Sequence, residues 1–467
     1  MFWRTVLSVL HSFNRSMSLS SFARKMAIRW CLVMAGPAVA FGQPGFTPAG
    51  PEYPIAGLLP GDQVFPAAAI GPTGGILVWQ DNSVTKTGVR IRAERLDSGL
   101  VGISSFLASS VAKAATTGDQ EKPQVAMLNN GGAVVVWQGG KHGFQRIFAR
   151  FIGPDGKFLK QDVRVSAYPK YHQIDPHVAT LANGTVVIVW ASDGQDGSRQ
   201  GVFARLFSPA GKALGPEFQV NQYTLNNQRT PSIAALASGN FVIAWVSELQ
   251  RSSSAIDVYA RLFAGSGLPV ADEFPVNVTS SNACANPSVA GSSLGGFAVA
   301  WSQNSNLSQP ASVIYSQTTI PSTSLASVVG STNGWDVFGR LFDATGAPAT
   351  APARLNQYTY GDQFGPKISA LGTNYMAVWS SLSQPDPDTG VIDPREGVFG
   401  QFITGDGSLV FSNDVHVNTT VAGRQLQPTV ASDGASRFLV LWSSPVLAVG
   451  KFDFDLFAQQ YLQSGGQ

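Results

Sequence analysis

The chain has 467 residues, with 31 Lys and Arg set against 29 Asp and Glu, and only 13% of residues are charged. Such a length would ordinarily suggest two or more domains. The near balance of charge, with no basic stripe, excludes a nucleic-acid binder. Two cysteines, one of them at position 31, leave only Cys284 beyond the first segment and exclude an internal disulfide there.

Residues 1–42 read as a signal peptide or leader. Arg24, Lys25 and Arg29 flank a short apolar run from Trp30 to Ala40 that ends in Ala38-Val39-Ala40, a small-x-small cleavage pattern. The run is too short to span a bilayer. The segment holds five of the basic residues and no acidic one, which leaves 26 basic against 29 acidic in the remainder. The expectation is an exported chain, in the periplasm, at the cell surface or outside the cell, with no membrane span after leader removal.

From about residue 50 onward the sequence repeats. Trp79, Trp137, Trp190, Trp245, Trp301, Trp379 and Trp442 each follow a proline by 13 or 14 residues: Pro66, Pro123, Pro176, Pro231, Pro287, Pro366 and Pro428. A repeat of this length made of short apolar runs indicates a radial or stacked β architecture. Four runs recur per unit. In the fourth unit they are Pro231–Leu236, Phe241–Trp245, Val258–Phe263 and Phe274–Asn277, separated by turns such as Ala237-Ser-Gly-Asn240. Each is four to six residues long, β-branched or aromatic, and bounded by Gly, Asn, Ser or Asp, as strands in hairpins are. The second run is apolar without alternation (Ala133-Val-Val-Val-Trp137), so it is buried on both faces. The fourth run ends ten residues before the next proline, at Ser166, Asn221, Asn277, Asn356 and Asn418.

The last unit lacks its fourth run, whereas Tyr53-Pro-Ile-Ala56 has no unit of its own. Pairing the two removes an open sheet edge. The expectation is therefore all-β: one domain over residues 43–467, a closed seven-bladed β-propeller with four antiparallel strands per blade. Its blade cores start near 66, 123, 176, 231, 287, 366 and 428, and the strand near 53–56 completes the last blade.

The motifs Gly361-Asp362-Gln363 with Pro366, Gly201-Val-Phe-Ala-Arg-Leu-Phe207 and Phe218-Gln-Val-Asn221 resemble the roughly 55-residue repeats of large exported bacterial proteins, hemolysin-type and adhesin-like chains among them. That resemblance implies an exported propeller and carries no established activity. The Asp-rich nonapeptides found in some of those proteins are absent, so calcium-driven secretion is not implied.

Candidate site residues cluster where loops vary on a rigid scaffold. Gln63, Gln120, Gln173, Gln228, Gln363 and Gln425 stand three residues before the repeat proline, with Cys284 in the seventh place. Gln173, Gln228 and Gln363 can line a channel mouth and hold a polar ligand, or they can satisfy backbone groups between blades. Tyr168, Tyr223 and Tyr358 share a position eight residues before the proline and are candidates for stacking on a ligand or for rim packing. The insertion Ser302–Gly334 is either a binding loop or an excursion. In the smaller insertion of the sixth unit, Asp386 and Asp388 offer alternate oxygen ligands, a weak calcium signal, and no other cofactor is expected. His172 and His177, with Asp175 between them, can form a metal site or an acid–base pair, but no nucleophile or third ligand stands at a telling spacing. No G-x-S-x-G, H-E-x-x-H or phosphate loop occurs.

The leading expectation from sequence is an exported, non-enzymatic, monomeric propeller that binds a protein or glycan through its top face. The alternative is a polysaccharide hydrolase or lyase whose loop carboxylates (Asp193, Asp196, Asp386, Asp393) converge over the channel. A third is a purely structural surface protein. Two carboxylates, or a histidine and a carboxylate, within about 10 Å in one pocket would favour the enzyme; a flat, amide-rich top would favour binding.

Overall fold

The structure, a computed structural model, describes residues 45–83, 88–109, 118–252, 255–280, 282–305, 334–387, 389–390, 395–448 and 451–464. These belong to one compact unit, Gln43–Gln467. The leader, most of the Ser302–Gly334 insertion, Asp388 and Asp393 lie outside the described residues. Strands and turns build everything else, and among the described residues no helix is long and apolar enough to cross a membrane.

The sheets follow the repeats. Repeat 1 forms a four-stranded antiparallel sheet from Gln63–Gly71, Gly74–Asp81, Arg90–Leu96 and Gly102–Leu107, in that order. Repeats 2, 3 and 6 form sheets of the same kind, whereas repeats 4 and 5 are joined into one eight-stranded sheet by a single parallel bridge between Ile256 and Ala283. The sheet of repeat 7 takes three strands from the C-terminal sequence and adds Gly45–Pro48 and Tyr53–Pro54, both antiparallel to Lys451–Ser464. Pro54 stands opposite Phe457, which pairs with Trp442; in repeat 4, Pro275 stands opposite Tyr259, which pairs with Trp245. The N-terminal strand thus occupies the register of a fourth strand. First strands of successive repeats pack together, and Leu426–Ser432 of repeat 7 packs against Gln63–Gly71 of repeat 1.

Each recurring residue has a local physical reason. The seven tryptophans lie within the second strands, which run two or more residues past them, and are buried to 1% exposure or less. They fill the space between sheets, where truncating a ring of that size costs about 3–5 kcal/mol. The asparagine two residues past the fourth strand turns back to accept an N–H near the start of the third: Val202 to Asn221 at 2.8 Å, Val258 to Asn277 at 2.9 Å and Val337 to Asn356 at 2.8 Å. Ser166 fills this role in repeat 2, accepting from Ile147 at 3.3 Å. The arginine of the third strand ties neighbours together. Arg205, Arg261 and Arg340 each donate Nη1 to a carbonyl of the preceding repeat, Val165, Val220 and Val276 respectively, at 2.9–3.0 Å.

The repeat proline marks a bulge. In all seven first strands the pairing register skips the proline and the residue before it, as between Ile174 and His177. Proline has no N–H to lose from the ladder, so it fits where the ladder is broken. The preceding residue has positive φ each time: Phe65, Lys122, Asp175, Thr230, Asn286, Gly365 and Gln427, at 48–66°. That conformation swings one side chain per repeat out of the sheet.

Candidate functional site

The bulges set up the site. Lys122, Asp175, Thr230 and Asn286 line a cavity of about 610 Å³ together with Glu121, His177, Arg229 and Lys367. The connections between second and third strands add His142, Gln145, Asp193 and Arg199, and those before the first strands add His172 and Asn227. Repeats 2 to 6 all contribute. The volume lies in the range of small-molecule pockets.

Its charged groups are interlocked. The Lys122 ammonium forms an ion pair with Asp175. Burial pushes the Asp175 carboxyl up, but the charge and hydrogen bond of Lys122 outweigh it and hold the group below the usual carboxylate range. Gln138 ties two acidic residues: its Nε2 donates to Glu121 at 3.0 Å, and its Oε1 accepts the Asp175 N–H at 2.9 Å. That second bond satisfies an amide which the bulge leaves without a ladder partner. Arg229 is neutralised from outside the cavity by Glu248 at 2.8 Å. His177 is partly buried, and its pKa is lowered to about 3, first by burial and then by the charge of Lys367, so its ring is neutral at ordinary pH. Lys367 is itself lowered, chiefly by burial.

The sequence candidates fall in different places. His172, Asp175, His177 and Asp193 meet at the cavity. The glutamines do not line it: Gln173, Gln228 and Gln363 are fully buried and donate to loop carbonyls of Lys170 (3.0 Å), Leu225 (2.7 Å) and Tyr360 (2.8 Å). Tyr168, Tyr223 and Tyr358 also lie off the cavity. Their hydroxyls reach the carbonyls of Gly194, Leu249 and Ser383, while their amides donate to Glu217, Glu273 and Asp414 of the next sheet. Asp386 accepts from Thr389 and faces His416 Nδ1 at 2.8 Å, with the imidazole stacked on Phe399. Asp196 bonds to Ser198 and Asn221. No group of three His, Cys, Asp or Glu suited to a metal occurs among the described residues.

Glu121, Lys122, Arg229 and Lys367 were not singled out by the sequence reading. A signal was present for Lys122 alone. Aligned on the proline, the residue just before it differs in all seven repeats, whereas the glutamine three before it barely varies.

No protein-family model matches the chain, and no curated protein does. The resemblance to hemolysin-type and adhesin-like repeats therefore finds no support there. Solved structures do match. What the chain itself shows is an all-β architecture built mainly of four-stranded antiparallel sheets. One similar structure is the Penicillium chrysogenum α-L-arabinanase complexed with arabinobiose, at 11% identity and TM-score 0.46, covering 90% of this chain and 99% of that one. Another is the α-L-arabinofuranosidase of Fusarium graminearum with arabinobiose, at 12% identity and TM-score 0.47, covering 74% and 93%. A protein of unknown function from Dyadobacter fermentans aligns at 11% identity and TM-score 0.46, covering 74% and 95%. At such scores the chemistry of this chain has to come from its own residues.

The expectation of a non-enzymatic binding face is corrected on that basis. The surface there is not flat, and its amides, among them Gln138 and Asn227, stand beside charged groups. It is a cavity that gathers Glu121, Asp175 and Asp193 with three histidines.

Proposed function

We propose that this protein is a polysaccharide hydrolase whose reaction takes place in the cavity at the channel mouth. The observation that carries the reading is the convergence of three carboxylates from separate strands on one cavity. Glycosidic hydrolysis needs one carboxylate kept ionised and a second that delivers a proton. Asp175 is the ionised one, because Lys122 holds its pKa low. Glu121 and Asp193 are the candidates for the proton donor, and Gln138 fixes Glu121 relative to Asp175.

The scaffold behind this reading is a closed ring of seven blades. The register of Tyr53–Pro54 and the packing of the first strand of repeat 7 on that of repeat 1 support it. So does the division of the eight-stranded sheet, where one bridge joins two otherwise complete blades. The chain is taken as exported, where polysaccharide is met.

Reducing-end release from a panel of neutral and acidic polysaccharides tests the activity. The protein should cleave at least one of them, and Asp175→Asn should lower kcat by about 10²–10⁴-fold, as loss of an acid–base group does. Glu121→Gln and Asp193→Asn, assayed over pH, identify the proton donor as the variant that loses one limb of the profile. Cleavage of nothing in the panel, or full activity in all three variants, would overturn the reading.

A further inference from the structure

Four cations line the cavity, and they are not equivalent. Lys122 is neutralised by Asp175 and Arg229 by Glu248. Arg199 is exposed at the rim. Lys367 is different: it is partly buried in the cavity lining, and its ammonium makes no hydrogen bond or ion pair among the described residues. It comes from the first strand of repeat 6, Gln363–Leu371, while Lys122, Asp175 and His177 come from those of repeats 2 and 3. It is close enough to feel Asp175 and Lys122 and to perturb His177.

A partly buried ammonium without a partner is costly, because desolvation disfavours its charge. In a binding cavity that cost is offset when a ligand brings the counter-charge. We propose that Lys367 receives the carboxylate of an acidic sugar, a uronate residue of the substrate, with the neutral imidazole of His177 beside it. One unpaired ammonium matches one singly charged group. A doubly charged phosphate fits this balance less well, since the second cation at this depth is already held by Asp175. A lysine rather than an arginine also suits a point contact to one oxygen, not a bidentate clasp. The lowered pKa of Lys367 follows from the same burial, and a bound anion would raise it.

This inference rests on the hydrolase reading for the word substrate, but it is tested by binding. Galacturonate and galactose oligomers of equal length, with inorganic phosphate as a third probe, are titrated into the protein by calorimetry. The galacturonate oligomer should bind at least tenfold more tightly than the neutral one. Lys367→Met should erase that difference, and Lys367→Arg should retain part of it, with melting temperatures recorded to confirm that both variants are folded. Equal binding of neutral and acidic oligomers, or an unchanged preference in Lys367→Met, would overturn the proposal. Phosphate binding as tightly as the uronate, with the same loss in Lys367→Met, would assign the site to a free anion and overturn it as well. Uronate binding without cleavage of any glycan would instead sink the hydrolase reading and leave the uronate site standing.

Discussion

The carboxylate of Glu52 accepts the backbone N–H of Thr419 at 2.7 Å, across 367 residues of chain. It also takes the Thr420 N–H at 3.1 Å and the Thr420 hydroxyl. Glu217 makes the same clasp on Ala167 and Tyr168, and Glu273 makes it on Gln222 and Tyr223. The N-terminal strand therefore reproduces an internal contact and does not merely add a β-pair. Glu52→Ala should lower stability by about 1–2 kcal/mol, the size expected for amide bonds to a charged acceptor at a partly wet site. Glu273→Ala, an internal equivalent, should cost a similar amount in a thermal melt. A silent Glu52→Ala beside a costly Glu273→Ala would show that the end strand is not bound as the internal ones are.

The Lys122–Asp175 pair predicts a pH dependence with a definite sign. The folded-state pKa of Asp175 lies below its ordinary 3.8. Its contribution to stability is then complete above pH 3.8 and is lost as pH falls through the folded value. Urea midpoints of the wild-type protein and Asp175→Asn should differ near pH 6 and converge as the pH drops below 3.8. A constant gap across that window would mean that the carboxylate is not held ionised by its neighbour.

Asn277 offers a test of the repeat's interior. Its Oδ1 accepts from Val258 at 2.9 Å, and its Nδ2 donates to Asp257 at 2.8 Å and to Thr279 O at 3.0 Å, all at a site with 1% exposure. Asn277→Ala would leave buried groups without partners, so a loss of about 1–3 kcal/mol is expected by chemical denaturation. The same change at Ser166, where the bond to Ile147 is 3.3 Å long, should cost less.

Thr230 carries a β-branched side chain at φ 48°, where Gly365 stands in repeat 6 at φ 66°. A left-handed conformation costs a residue with a Cβ about 1–2 kcal/mol, against about 0.5–1 kcal/mol of extra unfolded-state entropy for glycine. Thr230→Gly should thus leave stability unchanged or raise it by up to about 1 kcal/mol. A clear loss in the melt would mean that the Thr230 side chain holds the bulge in place.

The architecture was readable because the same physics acts on every repeat. Trp245, Asn277 and Pro231 occupy environments that recur around the molecule, so seven near-copies of one pattern expose them. The candidate site was readable only in fragments for the opposite reason. Asp175 and His177 were visible as a local pair, but Lys122 lies 53 residues away in sequence and Lys367 further still. Their meeting depends on how first strands are arranged, which spacing along one chain does not encode. Periodicity also drew attention to Gln173, Gln228 and Gln363, whose regularity reflects a shared duty toward loop carbonyls. Asp386, the weak cation candidate, faces His416 at 2.8 Å, a contact 30 residues away in sequence that spacing within its own loop does not reveal.

The bulge before each proline has an evolutionary corollary. Because the skipped residue stands outside the ladder, its side chain can be exchanged without rewriting the strand that carries it. Phe65, Lys122, Asp175, Thr230, Asn286, Gly365 and Gln427 share one backbone shape and almost nothing else. Four of these positions, Lys122, Asp175, Thr230 and Asn286, line the cavity on a frame whose ladder does not depend on them. A lineage built on this design could move from one ligand to another by a few point changes, leaving the frame that folds the chain untouched.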